Sequence, residues 1–524
     1  MTPNTFHHLI AGKTVSSPAQ FESRNASRHA DLIGLFPEAT LDQVRLACDA
    51  ARAAFVVWRN TPAPVRGQII GQIGRAIERE QELLSRLMSR EMGKTLKEAR
   101  GDVQEAIDTC HFFQSEGRRL YGQTVPSEMR NKELMTYRRP LGVVGVITAG
   151  NFPVAVPSWK LIPALLTGNT IVWKPSEDAP ATAYALARLF EEGGLPDGVL
   201  NVVFGGGAGA AGEFLVEMLD ERRIDKIAFT GSTAVGRHIG AIAGRNLTHP
   251  TLELGGKNPM IVMRDADLDN AVAGALWAAF GTAGQRCTSL GNLILDAPIA
   301  GPFRAKFLAA VAEIKIGDPG QFDDVLYGPF INERFFHIWA AHYEWGRADG
   351  ATLLYGNGRI TAEHRPPGFR GDPTAAHYGW PTVWDGVRPG MKIFQTEIFG
   401  PTINLVTVDG IDEAIAVANS VDYGLSSAIY TQNRMWAYQF KDQIQAGMSS
   451  INNSTIGAEA HMPFGGIKGS GNGSRESGIW VLDNYTYWHG VNDELSGKLQ
   501  LAQMDTEYGQ MRTPYHVAPL ADPR

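Results

Sequence analysis

The chain has 524 residues, enough at roughly 100–200 residues per domain for about three domains, or two with elaborations. Hydrophobic residues make up 44% of it and charged residues 20%, which excludes long disorder and fibrous repeats; 48 basic against 55 acidic side chains leave a formal charge of -7, the wrong sign for a dedicated nucleic-acid binder. Three cysteines, Cys48, Cys110 and Cys287, are too few for a disulfide scaffold and are not spaced as metal-ligand pairs, so no metal is expected and a cytoplasmic setting is.

Residues 1–13 lack the basic segment and apolar run of a secretory signal. The most apolar stretch, 141–172, is interrupted by Asn151, Pro153, Pro157, Lys160, Pro163 and Asn169, so no membrane span is expected. From 40 to about 119, apolar spacings of three and four predict two or three long helices. Residues 122–140 read as extended and polar and end in Arg138-Arg139-Pro140, where proline stops a helix. Short β-branched runs at 141–148 and 170–173 predict buried strands flanking a helix at 155–166; helices at 179–192 and 212–219 then alternate with strands at 199–203 and 226–230. That alternation predicts a parallel α/β sheet. A second α/β run begins near 260–263, continues through helices at 271–279 and 302–312, and reaches strands at 403–408 and 428–430. Residues 356–381 read as a long loop, and from 505 onward as an extended tail packed on the surface of the same or a neighbouring subunit.

Cys287 lies in Gly284-Gln285-Arg286-Cys287-Thr288-Ser289, a polar, glycine-punctuated setting. A structural cysteine sits more naturally inside an apolar run, as Cys48 does, so this context favours a reactive thiol. An ordinary thiol, with a pKa of about 8.5, needs a base, a helix end or a cation to become a nucleophile. Glu253 stands between Leu252 and Leu254 and before Gly255-Gly256. In an extended segment it points away from both leucines, as a partly buried general base would; an edge-strand glutamate in a salt bridge is the alternative. Phe229 to Gly236 passes from a strand into a helix and can present backbone amides to a pyrophosphate. Neither it nor Gly205-Gly206-Gly207-Ala208-Gly209 is the usual GxGxxG fingerprint. Lys174 and Glu177 close another strand, either at a ribose or as a solvated charge pair.

With Gly150-Asn151-Phe152-Pro153, Glu397-Ile398-Phe399-Gly400-Pro401 and Pro463-Phe464-Gly465-Gly466, these segments occur in one order, and the chain resembles the NAD(P)-dependent aldehyde dehydrogenase superfamily from about 51 to 487. The resemblance implies an α/β fold with a Rossmann-type cofactor domain (1–121 and 142–254), an α/β catalytic domain (255–455), a small antiparallel oligomerisation extension (122–141 and 480–500) and a tail (501–524). It implies a homo-oligomer, a dimer or dimer of dimers, acting on a small-molecule aldehyde. Carried over residue by residue, it makes Cys287 the nucleophile, Glu253 the base that hydrolyses the thioester, and the Asn151 amide with the Cys287 N–H the oxyanion hole. Lys174 counts among both the catalytic and the cofactor residues. The cofactor set comprises Ile147, Thr148, Lys174, Ser176, Glu177, Gly231, Ser232, Val235, Leu254, Gly255, Glu397 and Phe399. A glutamate at 177 repels a 2′-phosphate, so NAD is the favoured cofactor and NADP a possible second one. Thr148-Ala149-Gly150 departs from the proline and tryptophan many members carry there.

The same correspondence lines the substrate channel with Phe152, Val156, Trp159, Thr288, Leu290 and Phe464, an apolar set that predicts a medium-chain or aromatic aldehyde. Residues 145–156, 281–288 and 457–459 look most like the α-aminoadipic semialdehyde branch, where Glu105 and Arg286 would grip an amino-acid-derived semialdehyde. A non-catalytic structural protein and a thiol esterase are the readings from other classes.

Overall fold

The computed structural model describes residues 4–206 and 209–505. Its first sheet is built on five parallel strands in the spatial order Thr251–Glu253, Lys226–Thr230, Val143–Ile147, Thr170–Lys174 and Leu200–Val202. His8–Ile10 and Lys13–Val15 extend it antiparallel at the far edge. The central strands read as continuous apolar runs because helices cover both faces. Val144, Val146, Ile171 and Trp173 pack on one side with helices Ala63–Arg79, Gln81–Met92, Leu96–Glu116 and Ala155–Leu166. Val143, Val172, Ile227 and Phe229 pack on the other with Leu41–Trp58, Ala211–Asp220 and Thr233–Arg245.

Residues 40–119 form four helices, one more than the upper expectation, because the chain breaks at three places. The first helix opens at a Thr40/Gln43 capping box and ends before Pro62. Glu80 separates the second from the third. Gly93, at φ 75°, closes the third in the left-handed conformation, and the Thr95 hydroxyl caps the fourth. Ala155–Leu166 is buried on every face; Leu161, Ile162, Leu165 and Leu166 are worth about 1.5–3 kcal/mol each as buried side chains. Its one charged residue, Lys160, is fully buried and paired with Glu476.

The second sheet runs Thr352–Tyr355, Thr382–Asp385, Thr402–Val408, Leu290–Asp296, Asn258–Val262, Ser426–Tyr430 and Met448–Ile451, parallel except at its first pair. Thr486–Glu494 pairs antiparallel along the whole of Lys132–Pro140, with Thr124–Val125 beyond it. The 356–381 segment is mostly loop, with only Phe369–Arg370 paired in a short strand. Of the expected tail, residues 506–524 lie outside the described residues, as do 207 and 208 of the Gly205 to Gly209 cluster. Among the described residues no helix is long and apolar enough to cross a membrane.

Candidate active site

The parallel strands of the first sheet all end on one edge, and the order reverses between Val143–Ile147 and Lys226–Thr230. That reversal opens the crevice in which such sheets bind nucleotides. Ile147 and Thr148 close one of these strands, and the Thr148 hydroxyl accepts the Trp173 indole N–H at 3.0 Å. Gly231 follows the other, and Ser232 caps the next helix by accepting the Val235 N–H at 3.4 Å. The buried Thr230 hydroxyl beside them has no hydrogen-bond partner. Lys174, at the end of the neighbouring strand, lies 3.0 Å from Glu177. Ser176 and Asp178 hydrogen-bond to each other behind Gly150, whose backbone comes so close that a Cβ there would meet both. The strand ends thus leave an open, partly polar cradle that fits a dinucleotide.

Thr251–Glu253 brings the base candidate to the same edge. Leu252 and Leu254 pack into the core on the helix face, and Glu253 turns the other way. Both of its carboxylate oxygens are buried with no hydrogen-bond partner. Burial, then the charge of Glu476, pushes its carboxyl well above the usual range, with Lys160 and Arg475 opposing. No salt bridge therefore holds Glu253, and the edge-strand alternative does not describe it.

Cys287 belongs to a segment held on every side. Asn258 donates to the Cys287 and Ser289 carbonyls at 2.8 and 2.7 Å, the Thr455 hydroxyl donates to the Thr288 carbonyl at 2.8 Å, and Asn151 donates its amide to the Gln285 carbonyl at 3.0 Å. Just before it, Thr282, Ala283 and Gly284 take positive φ of 52°, 53° and 68°, a backbone arrangement that persists only where its surroundings enforce it. Glu98 supplies that enforcement: it accepts the Thr282 hydroxyl at 2.9 Å and pairs with Arg286, which bonds Thr282 in turn at 3.0 Å and lies over the Trp277 ring. A Cβ on Gly284 would run into the Gly400 carbonyl. Burial, then the negative charges of Glu397 and Glu253, pushes the Cys287 thiol up to about 12. Arg286 faces away toward Glu98 and supplies the thiol no cation.

Glu397 accepts the Gly256 N–H at 3.1 Å, and its carboxyl is pushed up to about 7 by burial. Phe399, at φ 52°, sets its ring 5.4 Å from that of Phe335. Around the thiol, Val156, Trp159 and Phe464 form an apolar cluster with Ala155 and Leu425, and Phe152, Cys287 and Ala458 pack against it; the Trp159 and Phe464 rings are 4.7 Å apart. Leu290 instead opens a strand in the core of the second sheet, and Thr288 is buried. Glu105 reaches the channel beside Trp159. Burial pushes its carboxyl up to about 7, Trp159 opposes, and Asp102, Asp108 and Glu459 add to the rise. One Glu105 oxygen and the Trp159 indole N–H are buried without a hydrogen-bond partner. Arg286, the other residue expected to grip substrate, is already occupied by Glu98.

Several groups here carry no sequence signal of their own. Glu98 and Asp102 lie on one helix and Lys94 in the turn just before it, yet Lys94 and Asp102 form a fully buried ion pair at 2.8 Å. Asp102 also accepts the Ala155 N–H at 2.6 Å, and the Lys94 ammonium lies 3.5 Å from the centre of the Phe152 ring, so the pair anchors the 151–155 turn. Lys160 is the exception, a lysine inside an otherwise apolar helix.

The profile of the aldehyde dehydrogenase family matches residues 14–491. The chain belongs to the aldehyde dehydrogenase family. Among its members, this dehydrogenase is 37% identical over 485 residues to an alpha-ketoglutaric semialdehyde dehydrogenase of Bacillus subtilis, covering 92% of this chain and 97% of that protein. It is 35% identical to malonate-semialdehyde dehydrogenase 1 of Shouchella clausii, covering 91% and 94%. The crystal structure of an NAD-dependent aldehyde dehydrogenase from Sinorhizobium meliloti superposes with a TM-score of 0.89 at 34% identity, covering 95% of this chain and 96% of that one.

Proposed function

We propose that this dehydrogenase oxidises a small semialdehyde to the carboxylic acid, with NAD as cofactor, through an acyl group carried on Cys287. The observation that carries the chemistry is the pairing of a half-buried thiol with a buried carboxylate whose charge helps raise the thiol. Cys287 adds to the aldehyde carbon as its thiol proton passes to Glu253, a base made strong by burial and by Glu476 behind it. The Asn151 amide and the Cys287 N–H hold the resulting oxyanion. Lys174 and Glu177 hold the adenosine ribose, Ser232 the pyrophosphate, and Glu397 with Phe399 the nicotinamide ribose. NAD held in this cradle would supply the acceptor for the hydride that leaves the thiohemiacetal carbon. The carbonyl re-forms as a thioester on Cys287; Glu253, having released its proton, takes one from water, and the hydroxide displaces the sulfur to give the acid. The nucleotide cradle separates this reading from a thiol esterase using only Cys287 and Glu253, which has no use for it.

For the substrate, the names of the relatives favour a semialdehyde over the medium-chain or aromatic aldehyde that the apolar channel wall suggests. The wall itself contains the reason: one Glu105 oxygen is buried without a partner beside the Trp159 indole, an arrangement that costs free energy unless a polar substrate end completes it. With its carboxyl near 7, Glu105 can donate to a substrate carboxylate or accept from an ammonium. NADH formation at 340 nm with a panel of semialdehydes, hexanal and benzaldehyde tests this. The semialdehyde kcat/KM is expected to lead by about tenfold or more, as for sites built around a substrate hydrogen bond; equal or better turnover of hexanal contradicts it.

A further inference from the structure

The loop after Thr170–Lys174 meets a residue from the other sheet's side of the cleft. Arg334, in the first turn of helix Glu333–Ala340, places its guanidinium 3.8 Å from Glu177 and 3.4 Å from Asp178. Both separations are long for a guanidinium on a carboxylate, where about 2.7–2.9 Å is usual. Each carboxylate also has a nearer partner. Glu177 is paired with Lys174 at 3.0 Å, and Asp178 accepts the Asn332 amide at 2.6 Å and the Ser176 hydroxyl at 3.2 Å. The Arg334 side chain is 59% exposed. It is a cation held loosely at the mouth of the ribose end of the cradle.

A lone glutamate there would repel a 2′-phosphate, which carries close to two negative charges. Here two cations, Lys174 and Arg334, flank that glutamate. Arg334 has the planar donor fork that suits a phosphate, and enough freedom to swing onto one. We infer that Arg334 is a specificity-determining residue that reads the 2′ position of the cofactor ribose and lets the site accept NADP beside NAD. The inference rests on the functional reading above for the place of the ribose.

Calorimetric titration of the full-length protein with NAD and with NADP, in the absence of aldehyde, tests it. The parent is expected to bind both. Arg334→Ala should lower the NADP-to-NAD affinity ratio about ten- to hundredfold, the size of one or two charge-assisted hydrogen bonds. Arg334→Lys, which keeps the charge without the fork, should recover part of the loss, and Glu177→Gln should raise the ratio. A ratio that stays within about twofold in Arg334→Ala overturns the inference. So does a parent protein that binds NAD and oxidises aldehydes but has no measurable affinity for NADP, which leaves the functional reading intact. A protein that binds neither nucleotide overturns that reading and the inference with it.

Discussion

A buried guanidinium has no neutral state to fall back on, because its pKa lies above 12. Arg286 is buried to 4% exposure and Glu98 to 3%, so each exists in its place because of the other. Their pairing also fixes Thr282, and through it the three left-handed residues that turn the chain toward Cys287. Removing the carboxylate leaves an uncompensated charge, at a cost of about 3–5 kcal/mol. Glu98→Ala is therefore expected to lower the thermal midpoint by several degrees and to reduce kcat as the nucleophile segment loses its hold. Glu98→Gln, which keeps an acceptor for Thr282, is expected to lose less. A Glu98→Ala protein with an unchanged midpoint and full turnover would contradict the proposed role of this pair. The resemblance to the α-aminoadipic semialdehyde branch makes Arg286 an expected substrate contact. What the sequence could not show is that Glu98, almost two hundred positions earlier, already occupies it.

Among the elements, legibility follows the strength of periodicity. Ala155–Leu166 and Lys226–Thr230 lie where the pattern put them, since each is a largely apolar run, the first between Pro153 and Gly168 and the second just before Gly231. The N-terminal strands Gln20–Asn25 and Arg28–Pro37 gave no such pattern: their pairing is bulged, and their burial alternates irregularly along the strands. The aromatic helix Glu333–Ala340, which carries Arg334, was also passed over; its signal is a single Asn332 cap before about two amphipathic turns. In the site itself, Cys287 and Glu253 stand out because each is a polar residue in a setting that packing alone does not explain, whereas Asn151 is implied only by the family resemblance. Lys94, Asp102 and Glu476 do not stand out, because a buried ion pair and a solvated one have the same letters.

At the scale of the whole molecule, Thr486–Glu494 has one edge paired to Lys132–Pro140 and leaves the other open, with Tyr487 and Trp488 about half exposed. An open, nine-residue strand carrying aromatics is a template for another chain. We propose that it pairs subunits. Light scattering on the parent is expected to give a dimer or a dimer of dimers, and Trp488→Asp to shift it toward smaller species; a monomeric parent contradicts this. The assembled enzyme stands or falls on one division of labour, Cys287 carrying the acyl group and Glu253 releasing it. Because a base works only when ionised and Glu253 is raised well above the usual carboxylate range, turnover should climb with pH over a range above that of an ordinary carboxylate in the parent. The most direct measurement is rapid-mixing NADH formation by Glu253→Gln. Because Glu253 also takes the thiol proton, the account predicts a first turnover slower than the parent's that still approaches about one equivalent of NADH per subunit, an acylated Cys287 visible as added mass on the intact protein, and a steady rate lower by about a hundredfold or more. Steady turnover at the parent's rate, or acyl mass on any residue other than Cys287, would contradict it.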